Sequence, residues 1–440
     1  MTFWTMPAGT QSSRARLAAR VPDPICMTSV TQHCHLAAIA PWIVCVCLAA
    51  VVCVTPPKRG LAQILEGPGS VHQTLRGGDG ITNPQYRSWF LSDALSPWYD
   101  FKARLQKDFH VDVGFDYTVF GQVSTSNLGE RGAAGHDLRF YGTWTPVNPG
   151  GPNSGSLTVK GENRMRYTAI SPQDLGFDSG AVAITTLQFS DAGWVLTNLY
   201  WKQRLFDDRL TFGFGQIDVT DYVDLFALGN SLTAFQNLVF SVSPAIPAPN
   251  QGLGAAAGFF FTDHVYATAG VADANGDQEL NFDLFNVGET FKHFEIGYTS
   301  SQAQQFLNNI HLALWQAEER QSAGVPKGWG LSMSAAWVFE DTWMPFFRAG
   351  YADKGGALYD RTVSVGIGHI TPQRDLFGFG LNWAHPEGLS SDQGTLETFY
   401  RYQVSKELAV TFNAQLIANP ALNPKQDVIG FFGLRTRLNF

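Results

Sequence analysis

The sequence predicts an all-β protein: a transmembrane, antiparallel, up-and-down β-barrel of about 16 strands, preceded by a signal peptide. Segments that alternate between apolar and polar residues recur from about residue 100 to the end of the chain, and this period of two is the signature of a strand with two different environments. Charged residues make up 15% of the 440 residues, against roughly 25% in soluble domains. Aromatic residues reach 13% and glycines number 44, which favours a barrel with a lipid-facing side.

The first 62 residues are expected to be a leader. An apolar run at 36–54 precedes Gly60 and Ala62, a small-residue pattern typical of signal-peptide cleavage before Gln63. Met27 offers an alternative start. A retained membrane helix and, more weakly, a lipidated cysteine are the rival interpretations. All five cysteines lie in this region, which suits a chain that crosses an oxidising compartment before it folds.

We therefore divide the chain into a leader at 1–62, an N-terminal segment of undefined role at 63–100 and a barrel domain at 101–440. The leader holds five basic residues and one acidic residue, which leaves 25 basic and 37 acidic side chains and a formal charge of −12. This charge disfavours nucleic acid as a partner, because nucleic-acid surfaces need basic proteins. It equally disfavours an anion-selective pore.

Individual strands can be read from their alternating faces. The clearest is the segment 109–123, and similar patterns occupy 138–144, 157–169 and the last eleven residues. A shift of one residue would turn the charged face towards lipid, so the register is strongly specified. Clusters of glycine and proline at 145–156, 243–252 and 352–356 separate the strands. The roughly 378 residues after the leader have room for sixteen to eighteen strands.

Three stretches in order resemble the carbohydrate-selective porin family OprB. They are the closing hairpin at 396–440, the strand and loop at 210–254, and the short segment RFYGTW at 139–144. The resemblance implies a sixteen-stranded outer-membrane barrel through which saccharides pass by facilitated diffusion. It also implies that the terminal Phe440 belongs to the signal by which the outer-membrane assembly machinery recognises such barrels.

Charged residues on the polar faces are the candidates for pore lining and sugar contact. Arginine offers five donors in a rigid fork, and carboxylates accept hydroxyl groups and hold the arginines extended. The alternative is that these side chains only solvate the wall. The candidates are Arg139, Glu162, Arg164, Arg166, Arg401, Arg435, Arg437, Asp112 and Asp116. Barrel closure is expected to bring the arginines of the last two strands near Asp112 and Asp116.

The stretch 218–250 lacks clear alternation and is the candidate constriction loop. It carries Asp218, Asp221 and Asp224, whose charges could oppose arginines on the wall. An outward-facing surface loop is the alternative. The stretch 273–283 has only the early spacing of a calcium loop and is interpreted as a turn. No metal site and no cofactor are expected.

Catalytic motifs are missing from the sequence, which contains no H-E-x-x-H, G-x-S-x-G or P-loop pattern. The expected function is therefore that of a channel in the bacterial outer membrane, with small sugars and the lipid bilayer as partners. A monomer and a homotrimer both remain open. The alternatives are a general diffusion porin, an outer-membrane hydrolase and a plugged structural barrel.

Overall fold

A computed structural model describes residues 64–77, 85–278 and 289–440. The predicted leader at 1–62 lies outside these residues. Sixteen strands form one closed sheet in which every strand pairs with its neighbours in the chain and β16 returns to β1. The strands are β1 Val111–Ser124, β2 Gly132–Val147, β3 Gly155–Arg166, β4 Gly193–Leu205, β5 Leu210–Ile217, β6 Gly252–Phe260, β7 Val265–Asp273, β8 Thr290–Thr299, β9 Asn309–Ala317, β10 Gly328–Ala336, β11 Trp343–Asp353, β12 Tyr359–Ile370, β13 Leu376–Pro386, β14 Gln393–Gln403, β15 Leu408–Ala418 and β16 Val428–Asn439.

The predicted barrel of sixteen antiparallel strands is confirmed, including its closure. Asp116 of β1 stands opposite Asn439 of β16, and the pairing continues to Ser124 opposite Phe431. Closure matters physically because it leaves no strand edge unpaired, as a lipid environment requires. Within the described residues, none of the helices is both long and apolar enough to span a bilayer.

The two faces of the wall differ as the alternation predicts. Outward positions such as Phe140, Leu314 and Phe412 are exposed apolar side chains. Inward positions such as Thr118, Glu162 and Ser332 are polar and fully buried. A soluble protein would show the opposite arrangement, so the exposed apolar belt fits a lipid-facing surface.

Helices precede and interrupt the barrel. They are α1 Val71–Arg76, α2 Phe90–Ala94, α3 Ser96–Phe109, α4 Leu175–Asp178 and α5 Leu238–Ser241, with single 3-10 turns at Val219–Asp221 and Gln302–Gln304. Our placement of Phe109 on the first strand is wrong. Pro97 stands in the first turn of α3, and His110 ends the helix with a left-handed φ of 57°, so extended structure begins only at Val111.

The two ends of the barrel differ in the length of their connecting loops. The connections 206–209 and 261–264 are tight turns, and β1 starts and β16 ends on the same side as these turns. The connections 167–192 and 218–251 leave the opposite end. Half of the residues in 167–192 and most of those in 218–251 are buried, which loops extending into solvent could not achieve.

Candidate functional site

A chain of charged side chains runs across the inner faces of β2 and β3. The register sets Arg139 opposite Glu162. Arg139 Nη2 lies 2.6 Å from Asp137 Oδ2, and its Nε lies 3.6 Å from Glu162 Oε1. Glu162 also accepts from Arg164 Nε at 2.6 Å and lies 3.4 Å from Lys160 Nζ. Because each cation touches a carboxylate, these long side chains are held extended on the wall.

The stretch 218–251 crosses the interior and is fastened to the far wall. Asp224 accepts from His311 Nε2 and from Ser332 Oγ, both at 3.1 Å, and forms an ion pair with Arg348. These three partners belong to β9, β10 and β11. Asp224 therefore serves as an attachment point of the loop. Burial by itself would raise the pKa of Asp224, but Arg348 and His311 outweigh it and lower that pKa.

The same loop is held on its other side by the closing strands. Glu397 of β14 accepts the backbone N–H groups of Gln236 and Asn237 at 2.8 and 3.0 Å, at the start of α5. Phe235 packs its ring 5.0 Å from both Phe240 and Phe399. With contacts on opposite sides of the barrel, the loop lies within the lumen, as a constriction loop does.

Between wall and loop lies a cavity of about 40 Å³. The wall contributes Arg139, Lys160 and Glu162, and the loop contributes Asp218 and Asp221. Lys160 Nζ stands 3.9 Å from Asp221 Oδ2. Burial raises the pKa of Asp221 to about 6, although Lys160 opposes this rise. Donors and acceptors thus face each other across a space with room for about three water molecules.

A second cavity, of about 180 Å³, lies towards the chain termini and is lined by Tyr86, Tyr99 and Lys406, among others.

Comparisons with known proteins agree with this geometry. The family profile described as carbohydrate-selective porin, OprB family, matches residues 141–324 and 297–440. The chain belongs to the OprB family of carbohydrate-selective porins. It is a carbohydrate porin, and its family and barrel fold imply a place in the outer membrane.

A solved structure supports the fold of this OprB-family porin. The high-pH structure of Pseudomonas putida OprB matches with a TM-score of 0.63 and 15% identity, over 78% of this chain and 97% of that one. Its low-pH structure matches with a TM-score of 0.49 and 14% identity, over 81% and 100%. A Rh. blastica porin mutant matches with a TM-score of 0.49 and 11% identity, over 75% and 100%. The comparison with curated proteins found no match.

The predicted site residues divide into those at the constriction and those away from it. Arg139, Glu162, Asp218 and Asp221 line the small cavity, and Arg164 is bonded to Glu162 beside it. Arg166 is half exposed at the end of β3, where its Nε lies 2.9 Å from Asp191 Oδ2. The strand ends there, so Arg166 has left the inner face.

Two expectations about the closing strands need correction. Asp112 is exposed, and among the described residues no ion pair links it to an arginine of β14 or β16; only Asp116 meets one, through Arg437. Arg435 has no ion pair to a carboxylate in the described part of the chain. It donates instead to the backbone oxygen of Ser231 at 2.5 Å, and Arg401 donates to that of Thr233 at 2.9 Å. Backbone carbonyl groups of the stretch 218–251 thus accept hydrogen bonds from Arg401 and Arg435, for which we expected carboxylates.

A second loop that folds into the lumen was not predicted from the sequence. The connection 167–192 sends Gln188 to Arg139, whose Nη2 donates to Gln188 Oε1 at 2.8 Å. Thr185 Oγ1 donates to Gln122 on β1 at 2.8 Å, and Gln415 on β15 donates to the backbone oxygen of Thr185 at 2.8 Å. The signal was available, since this stretch lacks alternation just as 218–250 does.

The turn after β7 occupies the described part of the stretch 273–283. Asn275 N–H donates to Asp273 Oδ1 at 2.8 Å, which is an ordinary side-chain-capped turn. Residues 279–283 lie outside the described residues. Among the described residues, no group of histidine, cysteine and carboxylate side chains could hold a metal ion.

Proposed function

We propose that saccharides pass this porin through the cavity between β2–β3 and the constriction loop, with Arg139 and Glu162 as the principal contacts. The observation that carries the proposal is the close opposition of the wall side chains Arg139, Lys160 and Glu162 to Asp218 and Asp221 around about 40 Å³ of space. A sugar that enters such a space must give up part of its hydration. Fixed donors and acceptors replace that hydration.

The charge pattern suits a neutral polyol better than either ion. Arg139 and Lys160 lie against carboxylates of both wall and loop, so a cation and an anion each meet attraction and repulsion within a few ångströms. A hydroxyl group can donate to Glu162 and accept from Arg139 at the same time. The other predicted positions, Arg164, Arg166, Arg401 and Arg437, act in this proposal by holding the wall and the loops.

The test is liposome swelling with purified, reconstituted protein and a panel of sugars. A selective pore admits monosaccharides faster than uncharged solutes of equal size that lack the ring hydroxyl pattern. Arg139→Ala should remove this preference, and Asp341→Asn in an exposed turn is the control. Rates that follow solute size alone, in wild type and variant alike, would favour the general diffusion porin.

The proposal also concerns how the barrel is assembled in the outer membrane. Phe440 stacks on Phe115 at a ring distance of 5.0 Å, and their backbones exchange two hydrogen bonds. We assign Phe440 to recognition by the outer-membrane assembly machinery. The family and the fold support a channel. Native mass spectrometry of the detergent-extracted barrel distinguishes a homotrimer from a monomer.

A further inference from the structure

The N-terminal segment Ile64–Gly77, which we call the insert, lies inside the barrel. Ile64 and Leu65 are buried in an apolar cluster that includes Tyr200 and Phe260 of the wall. Gly258 leaves room for Ile64, because a Cβ at Gly258 would lie 2.5 Å from Ile64 Cγ2. This wall glycine thus forms a notch into which the insert fits.

The insert also bonds to the constriction loop. The N–H of Gly67 donates to the backbone oxygen of Asp221 at 2.8 Å, and Asn230 Nδ2 donates to the backbone oxygen of Pro68 at 2.9 Å. Pro68 lines both the small cavity and the larger one. The insert is therefore a third side of the constriction, next to the β2–β3 wall and the loop.

A fully buried carboxylate of the insert pairs with two buried cations of the wall. Glu66 Oε1 lies 2.5 Å from Arg204 Nη2 and is bonded to Lys202, while its Oε2 accepts from Arg76 at 2.9 Å. Lys202 and Arg204 are inward residues of β4 with under a twentieth of their surface exposed. Burial alone would raise the pKa of Glu66, but Lys202 and Arg204 outweigh it and hold that pKa well below its usual range.

Lys202 and Arg204 face the lumen, a place in which wall cations ordinarily meet solute. They are close to the permeation path. Asn198 of β4 stands opposite Lys160 of the constriction in the strand register. Lys202 is the second inward residue after Asn198 along β4, in the direction of the chain termini. The Nε of Arg204 is buried and has no partner among the described residues, so the pair keeps unused donor capacity. Among the described residues, Glu66 of the insert covers this cationic pair on the side of the lumen.

We propose that the insert is an internal ligand of the pore: it narrows the lumen, and its Glu66 carboxylate occupies a carboxylate-binding site formed by Lys202 and Arg204. The chemical class that would replace Glu66 at that site is a monocarboxylate, such as a sugar acid. This inference rests on the proposed function, because it assumes that the lumen conducts.

The first experiment compares wild type with a variant that lacks residues 64–77, in planar bilayers. We expect single-channel conductance to rise roughly twofold, since a segment lining both cavities is removed. The reversal potential in a KCl gradient should shift towards anions, because Lys202 and Arg204 lose the carboxylate that pairs with both and become open to the lumen. The deletion removes Arg76 together with Glu66, so adding Lys202→Met and Arg204→Met leaves fewer lumen cations than in the wild type and should move the reversal potential back, past the wild-type value, towards cations. Unchanged conductance and unchanged selectivity in the deletion variant overturn the proposal.

Point variants cover the case in which the deletion does not fold. Glu66→Gln keeps the shape of the insert and should give the same shift towards anions. A Cβ at Gly67 would lie 2.5 Å from the Asp221 backbone oxygen, so Gly67→Ala should dislodge the insert and raise conductance. Gly121→Ala, where a Cβ meets nothing closer than 3.9 Å, is the control. If neither Glu66→Gln nor Gly67→Ala differs from this control, the proposal fails.

Gluconate tests the carboxylate site. In the deletion variant it should block the current at lower concentration than glucose does, and the block should vanish with Lys202→Met and Arg204→Met. Equal block by gluconate and glucose contradicts the site. If the wild-type barrel carries no current and the deletion variant conducts, the proposed open sugar pore is wrong, whereas the proposal that the insert narrows the lumen is supported. If the wild type conducts and the deletion variant has the same conductance and selectivity, the open pore is supported and the proposal about the insert is wrong.

Discussion

Arg437 near the end of the last strand donates its Nε hydrogen to Asp116 Oδ2 on the first strand over 2.7 Å, across the seam at which the barrel closes. Asn439 donates to the same oxygen at 3.4 Å. The carboxylate of Asp116 is 1% exposed. A buried charge is thus neutralised by a residue 321 positions away in the chain, and only closure of the sheet makes this possible.

Arg437→Ala should destabilise the barrel at this seam. Removing one partner of a buried ion pair typically costs about 3–5 kcal/mol, because the other charge is left buried and unpaired. The Arg437 side chain keeps 17% exposure, so we expect a loss near the lower end of that range. The measurement is urea unfolding in lipid vesicles, followed by tryptophan fluorescence, with Lys425→Ala in an exposed loop as control. Asp116→Asn combined with Arg437→Ala should recover part of the loss; equal stability of Arg437→Ala and the control would disprove the role of the pair.

Arg435→Ala and Arg139→Ala should have different consequences. Arg435 donates to the constriction loop at Ser231, so its loss should loosen that loop, give noisier current and speed protease cleavage within 218–251. Arg139 lines the cavity, and its loss should weaken sugar affinity by about 1.5 kcal/mol, roughly tenfold. Sugar block of the single-channel current and limited proteolysis separate the two effects. If Arg435→Ala weakens sugar block as much as Arg139→Ala and leaves cleavage unchanged, Arg435 contacts the solute directly.

Cation preference should fall when the pH drops through about 6. Burial raises the pKa of Asp221 to about 6, against the lowering effect of Lys160. A carboxyl group is neutral below its pKa and charged above it, so acidification removes negative charge from the loop. Reversal potentials in a KCl gradient between about pH 7.5 and pH 5 measure this step. The reversal potential of Asp221→Asn should not change over that pH range, whereas that of Asp341→Asn should change as in the wild type. If the change persists in Asp221→Asn, a group other than Asp221 causes it.

Deleting Phe440 should reduce assembly without altering transport. The ring stacks on Phe115, which alternates with the buried, inward Gly114 and Asp116 on β1, and meets Trp98 edge-on at 6.2 Å. We expect less heat-modifiable, folded barrel in outer-membrane fractions, and normal conductance for each pore that does form. Replacing Phe440 with Tyr, which keeps the ring, is the matched control. Full assembly of the deletion variant would contradict this prediction.

The strand pattern was predictable because period-two alternation is local. The inward positions of Arg139, Glu162 and Arg435 follow from parity alone, and closure of β16 on β1 follows from interpreting the recurring alternation as a barrel. The loop 218–250 was recognisable by its lack of alternation. The inward loop 167–192 carries the same signal and was not used, whereas Asp112 was misplaced because parity does not say how far along a strand the constriction lies.

Sequence by itself therefore determined the class of fold, the family and which face each strand residue occupies, since backbone pleating fixes direction every second residue. The tertiary structure decided which groups the inward side chains contact. Arg435 meets loop carbonyls and Asp224 meets Arg348, because a loop of more than thirty residues returns through the lumen. Glu66 reaches Lys202 across 136 positions, a contact that no local pattern encodes. Distances across a closed barrel depend on strand number, register and loop path together, and only the folded chain brings those three into one geometry.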